Sequence, residues 1–260
     1  MTKLKRSLTF LICITAFGSS YSVFAESNQP TPIANQTDEQ TRARIHTELG
    51  AAYFSRGQYT VALEELHNAL SADSSYAPAY GVMGLVYMEL HEDKPAENNF
   101  QRAMSLAPSE SEIHNNYGWF LCTRNRYDEA MTQFNIALGN PLYPSPERAL
   151  TNAGICSLQA NKPEIAQGYL ERSLKFQPNQ AQTLTKLAQI YFQQGRLFEA
   201  RTLIEHFFEN NQPTAEALWL GVRLARKQNN KDAEASYGLQ LRRNFADAPE
   251  TQLLLQGKYD

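Results

Sequence analysis

Leu49-Gly50-Ala51-Ala52-Tyr53 has near copies along the chain, at Met83-Gly84-Leu85-Val86-Tyr87, Tyr117-Gly118-Trp119-Phe120-Leu121 and Ala153-Gly154-Ile155-Cys156-Ser157. Leu187-Ala188 and Leu220-Gly221 continue the series. The small residues Gly50, Gly84, Gly118, Gly154, Ala188 and Gly221 are spaced by 34, 34, 36, 34 and 33 residues. Twelve residues beyond each stands an alanine: Ala62, Ala96, Ala130, Ala166, Ala200 and Ala233. Four further on comes a large apolar residue, namely Leu66, Phe100, Phe134, Leu170, Ile204 and Tyr237. Smaller residues recur at Ala69, Ala103, Ala137 and Ser173, and Pro108 and Pro178 close the second and fourth units. A fixed period of this size marks stacked supersecondary units, not a single globule.

Within each unit an apolar segment of helical period is followed by a break and a second such segment. The breaks fall at Gly57-Gln58, Asn125-Arg126, Asn161-Lys162, Gly195-Arg196 and Asn229-Asn230. Gly and Asn accept the left-handed conformation that ends a helix. Small residues on both helices let the two backbones approach, and the large residue fills the space beside them. One such hairpin cannot bury its apolar faces alone, so neighbours must stack. The period and residue types resemble the tetratricopeptide repeat over residues 43–243. The expected fold is all-α: a superhelix (α-solenoid) of six helix-turn-helix repeats at 43–76, 77–110, 111–146, 147–180, 181–213 and 214–246, with a cap at 247–260. In that cap Leu253, Leu254 and Leu255 are expected to face inward. The join between units three and four, Asn140-Pro141-Leu142-Tyr143-Pro144-Ser145-Pro146, adds two residues and three prolines to the period. Proline cannot continue a helix and restrains its predecessor, so a stiff elbow carrying Tyr143 is expected.

The first residues carry Lys3, Lys5 and Arg6, then an apolar run over 8–17, then Gly18, Ser19 and Ser20. Val23-Phe24-Ala25 has small residues at both ends. This reads as a secretory signal over 1–25, cleaved after Ala25. The run is too short to span a bilayer, which takes about 20 residues. Cys13 follows Ile12 inside it and does not make a lipidation site. Residues 26–40 are polar, with Pro30 and Pro32, and read as a disordered linker. No later segment is apolar enough to cross a membrane.

Lys plus Arg number 24 against 27 Asp plus Glu in 260 residues, which gives no basic footprint for nucleic acid. Five histidines are scattered, without zinc spacing, and no phosphate loop or nucleophile elbow appears. No catalytic residue, metal or cofactor is assigned, and the expectation is a non-enzymatic, monomeric binding protein. Its concave face, lined by first helices, should carry Phe54, Leu85, Met88, Asn115, Trp119, Ile155, Leu158, Gln189 and Phe192. An apolar and amide-rich stripe suits a bound extended or helical peptide; several of these positions equally suit the core between helices. Two cysteines follow the signal, Cys122 and Cys156, on the first helices of adjacent units. A disulfide and a pair of buried thiols are both open readings.

Asn115-Asn116-Tyr117-Gly118-Trp119-Phe120-Leu121-Cys122, Asn140-Pro141-Leu142-Tyr143-Pro144 and Asn152-Ala153-Gly154-Ile155-Cys156 together resemble the type IV pilus biogenesis/stability family, PilW or PilF. The motifs span about forty residues; the rest of the chain matches as repeats. That resemblance implies a pilotin: an outer-membrane lipoprotein that helps the pilus secretin reach the outer membrane and form its ring. It also implies a disulfide between Cys122 and Cys156. The implied location is the periplasm, at the outer membrane through a partner. The implied partners are the secretin and other type IV pilus assembly proteins. The family is lipidated and this signal lacks a fitting cysteine, which leaves the anchor open. The competing readings are a pilus-stability scaffold outside secretin assembly and an accessory subunit of a cell-envelope enzyme.

Overall fold

The computed structural model describes residues 37–259, so the signal over 1–25, its cleavage at Ala25 and most of the linker lie outside the described residues. The described residues form thirteen helices, as six pairs and a cap. The pairs are α1 (Asp38–Ser55) with α2 (Tyr59–Ala72), α3 (Ala77–Glu89) with α4 (Asp93–Leu106), and α5 (Ser111–Thr123) with α6 (Tyr127–Gly139). Then come α7 (Pro146–Gln159) with α8 (Pro163–Phe176), α9 (Ala181–Gln193) with α10 (Leu197–Asn210), and α11 (Ala215–Lys227) with α12 (Lys231–Asn244). The cap is α13 (Pro249–Leu255). The chain is a tetratricopeptide-repeat solenoid.

The first helix starts earlier than its composition suggests. Thr37 Oγ1 accepts from the Gln40 N–H at 3.2 Å, and the Thr37 N–H donates to Gln40 Oε1 at 3.4 Å. This capping box satisfies two of the orphan donors at a helix start, and Asp38 and Glu39 favour the positive end of the helix dipole. Residues 38–40 therefore belong to α1, not to the linker.

Each hairpin turns through one left-handed residue: Gly57 (φ 71°), His91 (58°), Asn125 (61°), Asn161 (57°), Gly195 (75°) and Asn229 (55°). Five of these are the Gly and Asn breaks. His91 is the sixth, and its side chain is exposed. Its backbone makes the turn of the second repeat, with its N–H donating to the Met88 carbonyl at 3.1 Å.

The hairpin legs meet at the repeated small residues. A Cβ built on Gly154 would lie 2.6 Å from Leu170 and 3.4 Å from the Ala166 carbonyl oxygen. At Gly118 the corresponding neighbours are Phe134 and the Ala130 carbonyl, at 2.8 and 3.2 Å. The large residue lies directly on the glycine, and the alanine backbone closes the seam. Ala62, Ala96, Ala130, Ala166 and Ala200 are all fully buried.

The elbow after α6 is ordered by side-chain bonds. Asn140 Oδ1 accepts from the Leu142 N–H at 2.9 Å, and Asn140 Nδ2 donates to Ser111 Oγ at 3.0 Å. Tyr143 turns inward and is only 6% exposed, while Leu142 at the tip is 85% exposed. At the far end Leu253 and Leu254 pack with Leu218, Trp219 and Val222 of α11. Leu255 does not follow them and is exposed. Successive helical residues step about 100° around the axis, so three in a row cannot share one face.

Candidate partner-binding groove

The first helices of successive repeats line a series of hollows. The first, about 320 Å³, has an apolar lining of Phe54 of α1, Leu85 and Met88 of α3, and Trp119 of α5. Its polar lining is Asn116 of α5, Thr151 and Asn152 of α7, and Gln180 and Gln182. One charge of each sign, Glu89 and Arg148, completes the lining. The second hollow, about 370 Å³, contains Ile155 and Leu158 of α7 with Lys186 and Gln189 of α9. A third, about 410 Å³, contains Phe192, Arg223, Lys227 and Tyr259. Nearby, Arg223 lies 4.5 Å over the Phe192 ring and donates to the Tyr259 carbonyl at 2.9 Å.

Eight of the nine residues expected in the groove thus line one or another hollow. Met88, Ile155 and Phe192 are under a tenth exposed and form floor more than wall. Asn115 is the exception. It is fully buried, and its Oδ1 accepts from Asn152 Nδ2 at 3.0 Å, tying α5 to α7. A buried amide needs such partners, and here they lie in the seam between repeats. Its neighbour Asn116 is the amide that lines the groove. Helical spacing alone places the two only one step apart, which explains the exchange.

Polar pairs pin the second repeat to the third and the fourth to the fifth. Tyr117 donates to Glu97 at 2.9 Å, and Arg126 bridges Glu97 and Glu129, both at 2.7 Å. Arg126 is held well above its ordinary pKa, chiefly by its bonds to Glu129 and Glu97. Tyr191 donates to Glu171 at 2.7 Å, with the Arg196 guanidinium 4.0 Å from its ring centre. Burial, then that carboxylate, pushes the Tyr191 phenol up to about 12.

Cys122 of α5 and Cys156 of α7 are fully buried with their Sγ atoms against each other. Their Cα atoms lie 5.7 Å apart, within the roughly 4.4–6.8 Å that a disulfide spans. The pair lies just below Trp119, one helical turn along α5.

The histidines sit apart. His46 meets Glu65 at 2.7 Å, His114 meets Gln133 at 2.7 Å, and His206 meets Asn179 at 2.8 Å. These are contacts within and between repeats. Among the described residues no three His, Cys, Asp or Glu side chains gather as a metal site would need. Nor is any helix of these residues long and apolar enough to cross a membrane.

Known proteins place this architecture. A tetratricopeptide repeat model matches residues 157–206 and 185–249. The type IV pilus assembly protein PilF of Pseudomonas aeruginosa is 32% identical over 242 residues, covering 93% of this chain and 95% of that one. The solved structure of Pseudomonas aeruginosa PilF superposes with a TM-score of 0.77, over 85% of this chain and all of that one (100%), at 32% identity. The solved PilW, described as a widely conserved type IV pilus biogenesis factor, gives 0.73 over 82% and 98%, at 34% identity. With the same repeats matched across nearly the whole of both chains, this protein belongs to the family of the type IV pilus assembly protein PilF.

Proposed function

We propose that the protein is a pilotin, a non-enzymatic scaffold that binds the pilus secretin and promotes its localisation and multimerisation at the outer membrane. The observation that carries this reading is the first hollow, which Trp119 lines together with Phe54, Leu85 and Met88 and with the amides of Asn116 and Asn152. Large aromatic groups beside an apolar cleft are where binding energy concentrates in interfaces, and amides offer backbone bonds to whatever lies there. The family relationship supplies the pilus context, and the signal read over residues 1–25 supplies export to the periplasm. In that oxidising compartment Cys122 and Cys156 are bridged, clamping the third repeat to the fourth beneath the groove.

The test is a deletion strain complemented with the parent protein or with Trp119→Ala, read on gels for heat-resistant secretin multimers. Loss of multimers in the deletion, restored by the parent and not by a normally folded Trp119→Ala protein, supports the reading. Unchanged multimers in the deletion strain, with few stable fibres, would instead make the protein a pilus-stability scaffold.

A further inference from the structure

The two ends of the repeat stack are closed differently. At the far end α13 packs on α11 and α12. At the near end the outer face of α1 is apolar and open among the described residues. In the second and third repeats the matching face receives both helices of the preceding hairpin. There Ala79, Met83 and Val86 of α3, and Ile113, Tyr117 and Phe120 of α5, are all 6% exposed or less. The residues of α1 that stand 34 positions before Ala79, Met83 and Val86 are Ile45, Leu49 and Ala52. Ile45 is 44% exposed, Leu49 is 42% exposed, and Ala52 is exposed. A terminal repeat of such a stack ordinarily turns a polar face outward, and this one does not.

The open face has a pattern of its own. Asp38, Arg42, Ile45, Leu49, Ala52 and Arg56 follow one another at intervals of 4, 3, 4, 3 and 4 residues, the spacing of a seam between two packed helices. All of them are exposed. The anion Asp38 stands in the first turn of α1 and the cation Arg56 is its C-cap residue. The apolar pair lies midway between them. Laid antiparallel on a copy of itself, about a two-fold axis beside residue 47, the stripe is self-complementary. Ile45 then meets Leu49 of the second copy, and Arg42 lays its stem over the small Ala52. Asp38 meets Arg56 at both ends of the seam. A parallel pairing would instead set Asp38 on Asp38 and Arg56 on Arg56, which like charges oppose.

We infer that a second copy of this chain covers the open face, with α1 against α1 in antiparallel register. Ile45 and Leu49 form the centre of that seam, and Asp38–Arg56 ion pairs close its two ends. A reversible dimer thus takes the place of the monomer expected from the sequence. Six residues a side fall well short of the roughly 20–30 of a standard interface, so the dissociation constant should be on the order of 10–100 μM. Phe54 lies two positions beyond Ala52, about 200° around the helix. The hollow that Phe54 lines therefore stays open in the pair.

Sedimentation equilibrium of the full chain, purified from the periplasm, tests the pairing over about 5 to 500 μM. The weight-average mass should climb from that of one chain toward that of two. Leu49→Glu, at an exposed position, should hold it at one chain. Asp38→Arg sets like charges together at both ends of the seam, and so does Arg56→Asp. Each of these variants alone should associate about tenfold more weakly. Mixed in equal amounts the two should regain the parent's affinity, because every altered end then meets an opposite charge. Far-UV circular dichroism and thermal melts of each variant check that α1 and the stack remain folded. A mass of one chain across the whole range would overturn the inference, and would leave the face to another stretch of the chain or to a different protein. Association that survives Leu49→Glu would overturn it too, by placing the contact elsewhere. So would a mixture of the two charge variants that associates no better than either alone.

Discussion

Tyr143, at the elbow between the third and fourth repeats, donates its phenolic O–H to Glu112 Oε2 at 2.9 Å, across 31 residues of sequence. Glu112 lies in the first turn of α5 and also receives Arg148 of α7 at 2.6 Å. The two bonds lash the elbow and the start of the fourth repeat to the first helix of the third. The irregular join is therefore a strut, and the hollow that spans α1 to α7 keeps its shape across it. Burial and the nearby carboxylate hold the Tyr143 phenol well above its ordinary value, so it remains a donor throughout the physiological range.

Replacing Tyr143 with Phe keeps the ring and removes the bond. A hydrogen bond to a charged group is worth about 1.5–3 kcal/mol, and Glu112 keeps Arg148, so the loss should fall near the low end. Urea unfolding of the variant should show a lower midpoint. A midpoint equal to the parent's would mean that the Tyr143 bond adds nothing to what the prolines, the Asn140 bonds and the Arg148–Glu112 pair already hold.

The glycines separate packing from propensity. Gly154→Ala puts a Cβ about where Leu170 already lies, at 2.6 Å. Overpacking of a tight seam costs roughly 1–3 kcal/mol. Gly168 lies within α8, and a Cβ there would meet nothing within 4 Å. At that position alanine should stabilise by roughly 0.5–1 kcal/mol, through lower backbone entropy in the unfolded state. Opposite shifts of the two melting temperatures are expected; equal shifts would remove the seam argument.

Alkali should loosen the stack by a defined route. Tyr191 holds its proton up to about 12 when folded, against about 10 when unfolded. A raised phenol contributes stability that is complete below pH 10 and is lost as pH rises through 12. The penalty of Tyr191→Phe should therefore be largest at neutral pH and shrink over that window. Urea midpoints of parent and variant at pH 8, 10 and 12 would check it. A penalty that is constant with pH would assign the effect to packing.

The repeat was legible because its signal is steric. A backbone seam admits only Gly or Ala, so Gly50, Gly84, Gly118 and Gly154 recur wherever α-hairpin legs touch, and Ala62 or Ala166 faces them. The groove was legible in outline for the same reason, since position within a repeat fixes the face. What failed was resolution within a face. Asn115 and Asn116 are one residue apart, and the choice between seam and groove is made by Asn152, which lies 37 residues beyond Asn115. Leu255 follows Leu254 by one step and swings out of the core. His91 hides its role because a histidine seldom takes a left-handed turn; its alignment with Gly57 and Asn125 was the available signal.

Cys122 and Cys156 provide the last test, because their environment suits both a bridge and two thiols. Both are fully buried, and they stand 34 residues apart in sequence. Closing a loop of that length removes unfolded-state entropy worth about 3–4 kcal/mol. Export decides whether the bond forms, since an oxidising compartment favours it. Protein purified from the periplasm and denatured without reductant should show no reactive thiol from these two residues. Adding reductant should release both and lower the urea midpoint, whereas a Cys122→Ala, Cys156→Ala protein should not respond to reductant. Two thiols titrating at once on denaturation, with a midpoint indifferent to reductant, would make the pair a buried apolar contact between α5 and α7.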